Sequence, residues 1–343
     1  MNQLILFFAL LSLSEAYVFL SHSDSRKSSS LFMSAMSSMI KKAKIREASS
    51  LKQDIEAAGD SHYINRFLKH KTVKGLMNEP ISFFNSTVNR FTSVTVMAEY
   101  NKKAKTGFIL GMPEPEIMGG VIRDAGAKAI AVEMDKRSGK VSPDEFHRFT
   151  IEQSRAQLMI PPPIAVLWSD FIVDKIQIAQ AASLGASAIT LHPELIEDLK
   201  SFIDYCKVFN IEAVVMVKDV FTAQQALTMG ARCLCLHNLE EEQLVQIRQQ
   251  LPNDRNIEYI ARLRAESAFS IYTEIDTSWL LRDNGFQCVW PSPESIFATG
   301  ISDVYVGIQA MKAKASRQFL SPRQFMMDRK KEGATEFLGT LEM

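Results

Sequence analysis

Titratable side chains stand at or near the ends of several short apolar runs in this sequence. Glu99, Glu133, His192 and His237 each end or nearly end one run, and Lys218 comes two residues after Met216 in another. Side chains alternate along a strand, so Lys218 and Met216 share a face. Histidine titrates near neutrality and burial shifts the pKa of a lysine, so this set would carry acid–base chemistry if it met in one pocket. That convergence is our first hypothesis.

Each of these residues also has an ordinary structural interpretation. A histidine at a strand end is commonly a hydrogen-bonded residue of the rim, and Lys218 with the aspartate after it is also typical of a solvated pair that opens a helix. Lys102, Lys103 and Lys105 form a basic loop near Glu99, which is either a site for an anionic ligand or a solvated run of charge. No two candidates have a recognised ligand spacing, so the sequence predicts no metal site.

The elements that must position these residues follow a regular alternation. Downstream of about residue 91, short apolar runs alternate with amphipathic stretches, which is typical of repeated βα units and a parallel sheet. The strand candidates are 94–99, 129–134, 164–168, 187–192, 212–217, 232–237, 257–263 and 287–290. Eight strands, each followed by a helix, predict an α/β fold of the (β/α)8 TIM barrel type, with functional residues at the carboxyl ends of the strands. The rival fold is a doubly wound open sheet, but no GxGxxG follows the first strand.

One segment carries a specific resemblance. Residues 169–192, SDFIVDKIQIAQAASLGASAITLH, are similar to the unit between the third and fourth strands of indole-3-glycerol-phosphate synthases, and weaker likeness extends in order over roughly residues 94–314. The resemblance implies a carboxy-lyase of tryptophan biosynthesis, which decarboxylates and closes carboxyphenylamino-deoxyribulose phosphate to indole glycerol phosphate. It also implies a phosphorylated small-molecule ligand and no cofactor.

Most catalytic positions of that family hold other residues here. Glu99 matches the first glutamate of the family. The lysine that acts as general acid corresponds to Ser169, and the second lysine corresponds to Asn101, with Lys102 and Lys103 directly after it. A serine hydroxyl cannot act as a cationic acid near neutral pH, so the resemblance implies a weakened reaction.

The later strands depart from the family as well. The glutamate of the fifth strand is Met216 and the asparagine of the sixth is His237, while Glu266-Ser267 is the candidate for the Glu-Ser of the seventh. The phosphate turn of the eighth holds Ser292 between two prolines, which offer no N–H to a phosphate. We therefore predict Glu99, Lys102, Lys218 and His237 as catalytic residues, and Lys103, Glu133, Ser169, His192, Ser267 and Ser292 as substrate-binding residues.

The two termini are expected to lie outside the barrel, which we place at residues 91–315. Residues 1–16 are typical of a signal peptide and 17–35 of a transit peptide. The composition rich in serine and lysine continues to about residue 47. This two-part leader predicts plastid localisation with no membrane span in the mature chain; plain secretion is the alternative. Residues 36–90 are predicted to form a helical extension. The tail, 316–343, either packs on the barrel or docks a plastid partner protein.

Composition excludes some classes of function. The 343 residues hold 39 basic and 39 acidic side chains, and this balance argues against a nucleic-acid-binding protein, which needs a basic face. Cys233 and Cys235 fall in an apolar run and are expected to be buried strand residues.

Three functional hypotheses follow from these residues. The first is a family member with impaired catalysis that acts as a binding or structural protein of the plastid. The second is an active synthase that uses displaced lysines, namely Lys102 or Lys103 together with Lys218. The third is a different acid–base reaction on a phosphorylated or carboxylated metabolite. Whether the protein is an enzyme is left open at this stage.

Overall fold

A computed structural model describes residues 26–71, 80–88, 93–108, 110–264, 271–298 and 301–313. By compactness the chain divides after Ala43. The described part of the first unit belongs to helix α1, and the second unit contains the remainder of the fold. The predicted signal peptide and the predicted C-terminal tail lie outside the described residues.

Eight parallel strands close into a barrel in chain order, with β8 paired to β1. The strands are β1 (Thr95–Tyr100), β2 (Ala129–Glu133), β3 (Ala165–Ser169), β4 (Ala188–Leu191), β5 (Glu212–Val217), β6 (Cys233–Leu236), β7 (Glu258–Arg262) and β8 (Cys288–Trp290). Each predicted run overlaps one observed strand, and the prediction of a TIM barrel is confirmed. The carboxyl ends of all strands therefore meet at one end, the mouth of the barrel.

Helices follow the strands around the barrel and precede it at the N-terminal side. They are α1 (Arg26–Ala58), α2 (Tyr63–Lys71), α3 (Phe83–Thr87), α4 (Pro115–Asp124), α5 (Pro143–Arg155), α6 (Lys175–Ser183), α7 (Leu199–Val208), α8 (Val220–Thr228), α9 (Glu241–Gln249), α10 (Ile271–Asp283), α11 (Pro293–Ile296) and α12 (Ile301–Lys312). Helix α1 begins inside the segment that the sequence assigns to the leader. In the part of the chain that the structure describes, no helix is both long and apolar enough to span a membrane.

Local sequence explains where the helices begin and end. Ser142 caps α5 with Pro143 in the first turn, and its hydroxyl accepts a hydrogen bond from the Glu145 N–H while the Glu145 side chain reaches back to the Ser142 N–H. Gly185 follows the end of α6 with a φ of 87°, a left-handed conformation that suits glycine and lets the chain turn into β4.

Most inward side chains of the barrel are apolar, and Glu258 is a buried acid near its floor. Alternate side chains point inward, among them Met97, Leu167, Met216 and Ile260, and α3 lays Phe83 across the amino-terminal end of the strands. The cysteines of β6 and β8 lie in this interior with free thiols, as expected for Cys233 and Cys235. The polar residues of the candidate site lie at the opposite end of the barrel, the mouth.

Candidate active site at the barrel mouth

The predicted residues Glu99, Glu133 and Ser169 lie at the carboxyl ends of β1, β2 and β3. His192 and His237 directly follow β4 and β6, at the same end of the barrel. All five are buried. Their position at the mouth follows from the direction of the strands that carry them, which the sequence predicts.

Glu99 accepts hydrogen bonds from three donors, and two of them, Arg262 and Trp290, are not among the residues that the sequence analysis names. Its Oε2 accepts hydrogen bonds from Arg262 Nη2 at 2.9 Å and Trp290 Nε1 at 3.0 Å, and its Oε1 accepts one from Asn101 Nδ2 at 3.2 Å. Arg262 ends β7, and its guanidinium lies over the Trp290 ring, 4.3 Å from the ring centroid. The carboxylate thus serves a buried network whose charge is matched inside the protein.

Glu133 lies beside Glu99 and shares its cation. Arg262 Nη2 is 3.6 Å from Glu133 Oε2, and the same oxygen accepts a hydrogen bond from Ser169 Oγ at 3.0 Å. Ser138 Oγ donates to Oε1 at 2.9 Å. Burial, and then the negative charge of Glu99, raise the pKa of Glu133 to about 7 in spite of Arg262. Glu133 is therefore a group that can exchange a proton near neutrality.

A lysine from helix α1 reaches the mouth over the loops that follow β2 and β3. Lys44 Nζ lies 2.6 Å from Asp170 Oδ1 and 3.0 Å from Asp135 Oδ1, and it donates to Glu47 Oε2 at 3.0 Å. Its side chain is 1% exposed. Burial opposes the charge, but Asp170 and Asp135 outweigh it, so the pKa of Lys44 lies above its ordinary value. A second pair, Lys52 with Asp174 at 2.5 Å, is half-exposed.

Two imidazoles form a separate group on the β4–β6 side. The rings of His192 and His237 meet edge to face with centroids 5.7 Å apart, and His192 also packs on Phe171 at 4.7 Å. His237 Nε2 and His192 Nδ1 are buried without hydrogen-bond partners; the nearest acceptor to the latter, Glu194 Oε1, is 3.9 Å away. Burial, and then His192 and Lys218, lower the pKa of His237 to about 3, so its imidazole is neutral at pH 7.

The predicted lysines bond to groups other than Glu99. Lys102 pairs with Glu145 of α5, and Lys103 donates to the backbone carbonyls of Lys136 and Arg137. Lys218 Nζ donates to Glu194 Oε1 at 3.2 Å. The structure therefore joins Glu99 to Glu133 through Arg262 and joins His192 to His237, while the ammonium groups of Lys102 and Lys103 bind the β2–α5 region instead of Glu99.

At the end of β8 a buried carboxylate lies against the turn that contains Ser292. Glu274 Oε1 accepts hydrogen bonds from Ser292 Oγ at 2.5 Å and Ser295 Oγ at 2.8 Å, and Oε2 accepts one from the Ser292 N–H at 3.3 Å. Burial raises the pKa of Glu274 to about 7 against these bonds. The donors that we predicted for a substrate phosphate are thus used by the protein itself. The other predicted phosphate residue, Ser267, lies outside the described residues.

The arrangement has limited chemical capacity. The cations described above are each bonded to carboxylate or carbonyl oxygens, and within the described ranges no three His, Cys, Asp or Glu side chains are grouped to hold a metal ion. Glu133 and Glu274 both have a pKa of about 7 and can exchange a proton near neutrality, with the neutral histidines as further hydrogen-bonding groups. The mouth therefore has carboxylic acids that titrate near neutrality and no uncommitted ammonium among the cations described.

Comparison with known proteins agrees with the barrel and with the resemblance in residues 169–192. A family model described as indole-3-glycerol phosphate synthase matches residues 45–261, more than half of the chain. The indole-3-glycerol phosphate synthase of Methanothermobacter marburgensis is 30% identical over 172 residues, which cover 49% of this chain and 57% of that protein. The one from Carboxydothermus hydrogenoformans is 31% identical over 148 residues, 42% of this chain and 53% of that protein. The one from Acetivibrio thermocellus is 25% identical over 197 residues, 54% of this chain and 72% of that protein.

The chain spans little more than half of the length of the first two of these relatives. The match of the family model begins at residue 45, next to Lys44, and ends at residue 261 in β7, one residue before Arg262. It thus covers the strands that carry Glu99, Glu133, Ser169, His192 and His237. By this match the chain belongs to the indole-3-glycerol phosphate synthase family.

Proposed function

We propose that this barrel is a catalytically impaired member of its family, retained as a binding or structural protein of the plastid. The observation that carries the proposal is the mouth itself, where protein carboxylates neutralise the cations that a phosphorylated, carboxylated substrate would need. Arg262 is held by Glu99 and Glu133, and Lys44 by Asp135 and Asp170.

The position of Ser169 supports the same conclusion. In the family a lysine general acid is expected there, and here the Ser169 hydroxyl donates to Glu133 at 3.0 Å. Loss of a positioned proton donor typically costs 10²- to 10⁴-fold in rate. The Glu274 carboxylate at Ser292 adds a second obstacle, because a phosphate would meet a buried acid where it needs donors.

A second candidate is an active synthase in which Lys44 replaces the missing lysine. It is favoured by one observation: Lys44 Nζ lies 2.6 Å from Asp170, the residue next to Ser169. Against it stands the raised pKa of Lys44, since an ammonium stabilised by two aspartates is a poor proton donor near neutral pH. This candidate replaces the displaced lysines Lys102, Lys103 and Lys218, whose ammonium groups have other partners.

A different acid–base reaction in the same mouth is a third candidate. It is favoured by Glu133, whose pKa of about 7 suits proton transfer at neutral pH. A metabolite with a carboxylate or phosphate would still have to displace the internal carboxylates from Arg262. The plastid location depends on residues 1–35, and a role for the tail in docking a partner depends on 316–343. Both remain proposals from sequence.

The test of the proposal is steady-state formation of indole glycerol phosphate, followed by fluorescence with the purified chain and carboxyphenylamino-deoxyribulose phosphate. We expect no rate above background. Turnover within the usual enzyme range of roughly 1–10³ per second would refute the proposal. Lys44→Met and Glu133→Gln would then assign the reaction: loss in the first variant alone favours Lys44 as the acid, whereas loss in the second favours Glu133.

A further inference from the structure

The mouth already contains a site for a primary ammonium group. Lys44 Nζ lies within 3.0 Å of one carboxylate oxygen on each of Asp135, Asp170 and Glu47, and its side chain is 1% exposed. These three acids come from three separate elements: the loop after β2, the loop after β3, and α1. An ammonium carries three donors, so this arrangement satisfies it completely.

Among the described residues of the mouth, two buried imidazole nitrogens have no hydrogen-bond partner. His192 Nδ1 and His237 Nε2 lack partners, and these residues are 7% and 5% exposed. Both imidazoles have a lowered pKa, so each is neutral near pH 7 and has one acceptor nitrogen and one N–H donor. A ligand with its own N–H groups would satisfy the acceptor nitrogens, whereas an anion would find the donors of Arg262 and Lys44 already bonded to carboxylates.

The charge of the mouth also favours a cation. Five carboxylates, on Glu47, Glu99, Glu133, Asp135 and Asp170, pair with only three cations, Lys44, Arg137 and Arg262. Among these acids, Glu133 keeps its proton to about pH 7. A further positive charge nearby would be stabilised as Glu133 ionises, while a further negative charge would not.

An aromatic surface connects the ammonium site to the imidazoles. Phe171 follows Asp170, its ring packs on His192 at 4.7 Å, and His192 packs on His237 at 5.7 Å. The guanidinium of Arg137, which pairs with Asp135, lies 5.8 Å from the Phe171 ring centroid, so this ring already faces a cation. Asp170, Phe171 and the two histidines thus form a continuous strip along the β3–β6 side of the mouth.

We propose that the mouth binds a small primary amine, whose ammonium takes the place of Lys44 between Asp135 and Asp170 and whose far end donates to His192 or His237. Lys44 is then a tethered competitor, and helix α1 from residue 44 onward is displaced when the ligand enters. This inference rests on the proposed binding role and gives it a ligand class. Because Lys44 is part of the chain, it occupies the site at a high effective concentration, and a free amine must outcompete it.

The test uses 1,5-diaminopentane as probe, because its chain resembles the Lys44 side chain and adds a second donor. By calorimetry on the full chain, Lys44→Ala is expected to bind the diamine one to one and at least tenfold more tightly than the wild type does. Adding Asp170→Asn to that variant should weaken binding at least tenfold. Pentanoate and inorganic phosphate, at matched ionic strength, are expected not to bind.

Several outcomes would overturn the inference. They are the absence of diamine binding by a folded Lys44→Ala chain, binding that ignores Asp170→Asn, and preferential binding of pentanoate or phosphate. If Lys44→Ala does not fold, amide hydrogen exchange of the wild-type protein tests the proposal. Saturating diamine should accelerate the exchange of the backbone amides of residues 44–58, compared with the same protein in tetramethylammonium chloride. Unchanged exchange rates would reject the proposal. Synthase turnover is measured separately. Turnover would refute only the proposal of impaired catalysis, and the absence of amine binding would refute only this inference.

Discussion

Arg262 Nη2 lies 2.9 Å from Glu99 Oε2 and 3.6 Å from Glu133 Oε2, so one guanidinium bridges the ends of β1 and β2 from β7. This contact spans the barrel mouth and places a fixed positive charge between two buried acids. It makes the mouth a closed electrostatic network in place of an open cup for an anion.

We predict that Arg262→Met destabilises the fold strongly, because Glu99 and Glu133 would lose their shared counter-charge. Breaking a buried pair typically costs about 3–5 kcal/mol, and the lower end applies here since the Arg262 side chain is 30% exposed. Urea unfolding measures the loss. The double variant Arg262→Met with Glu99→Gln should recover part of it, and additive losses would contradict the network.

Lys44→Met should also destabilise the protein by about 3–5 kcal/mol, since Asp170 would lose its cation while buried and Asp135 would keep only the partly exposed Arg137. The matched control is Lys52→Met on the same helix, whose partner is Asp174 and whose side chain is 50% exposed. That change should cost no more than about 1 kcal/mol. Equal losses in the two variants, measured by chemical denaturation, would show that the burial of Lys44 has no energetic consequence.

Strand β7 shows which features can be predicted from the sequence. Its apolar run predicts the strand, and alternation puts Glu258, Ile260 and Arg262 on one face, as it does for Met216 and Lys218. Arg262 is not among the predicted site residues, although the same alternation predicts that its side chain faces the mouth.

Two other features were beyond the reach of local patterns. Lys44 contacts Asp135 and Asp170 across more than 90 residues, and it falls in a lysine-rich stretch that resembled the leader. Glu274 sits within helix α10, and nothing in the helical periodicity marks it as the partner of Ser292. Such contacts arise from the closure of the barrel and not from the spacing of residues along the chain.

The floor of the barrel offers a pH test. Glu258 is buried beside Cys233, whose Sγ donates to its Oε2 at 3.4 Å, and burial raises the pKa of this carboxyl to about 8 from an ordinary value of 4.5. The folded state therefore holds a proton that the unfolded chain releases, and this group's contribution to stability falls as pH rises between about 4.5 and 8.

We predict that Glu258→Gln removes this loss, so that the stability of the variant relative to the wild type increases with pH across that window. Denaturant titrations at several pH values measure the difference. The exposed glutamate Glu242, changed to glutamine, controls for the loss of one negative charge. A relative stability of Glu258→Gln that does not vary with pH would mean that Glu258 ionises as readily in the fold as in the unfolded chain.

Helix α3 should be essential for closing the floor. Phe83 is 1% exposed and packs against the inward side chains of the strands. Phe83→Ala is expected to cost about 3–5 kcal/mol through lost burial and the cavity left behind. Phe221→Ala, at a ring that is 69% exposed, is the control and should change the unfolding free energy by less than about 0.5 kcal/mol. A small effect at Phe83 would show that α3 is dispensable for the barrel.

The most direct measurement of the central claim is a single-turnover experiment with the full chain in excess over carboxyphenylamino-deoxyribulose phosphate. Excess protein reveals even a very slow chemical step, since product release no longer limits the signal. We predict no indole glycerol phosphate above the protein-free control, because Ser169 supplies no ammonium and Arg262 is held by Glu99 and Glu133. Stoichiometric conversion that disappears in Glu99→Gln would contradict this prediction, and would mean that the mouth still performs the chemistry of its family.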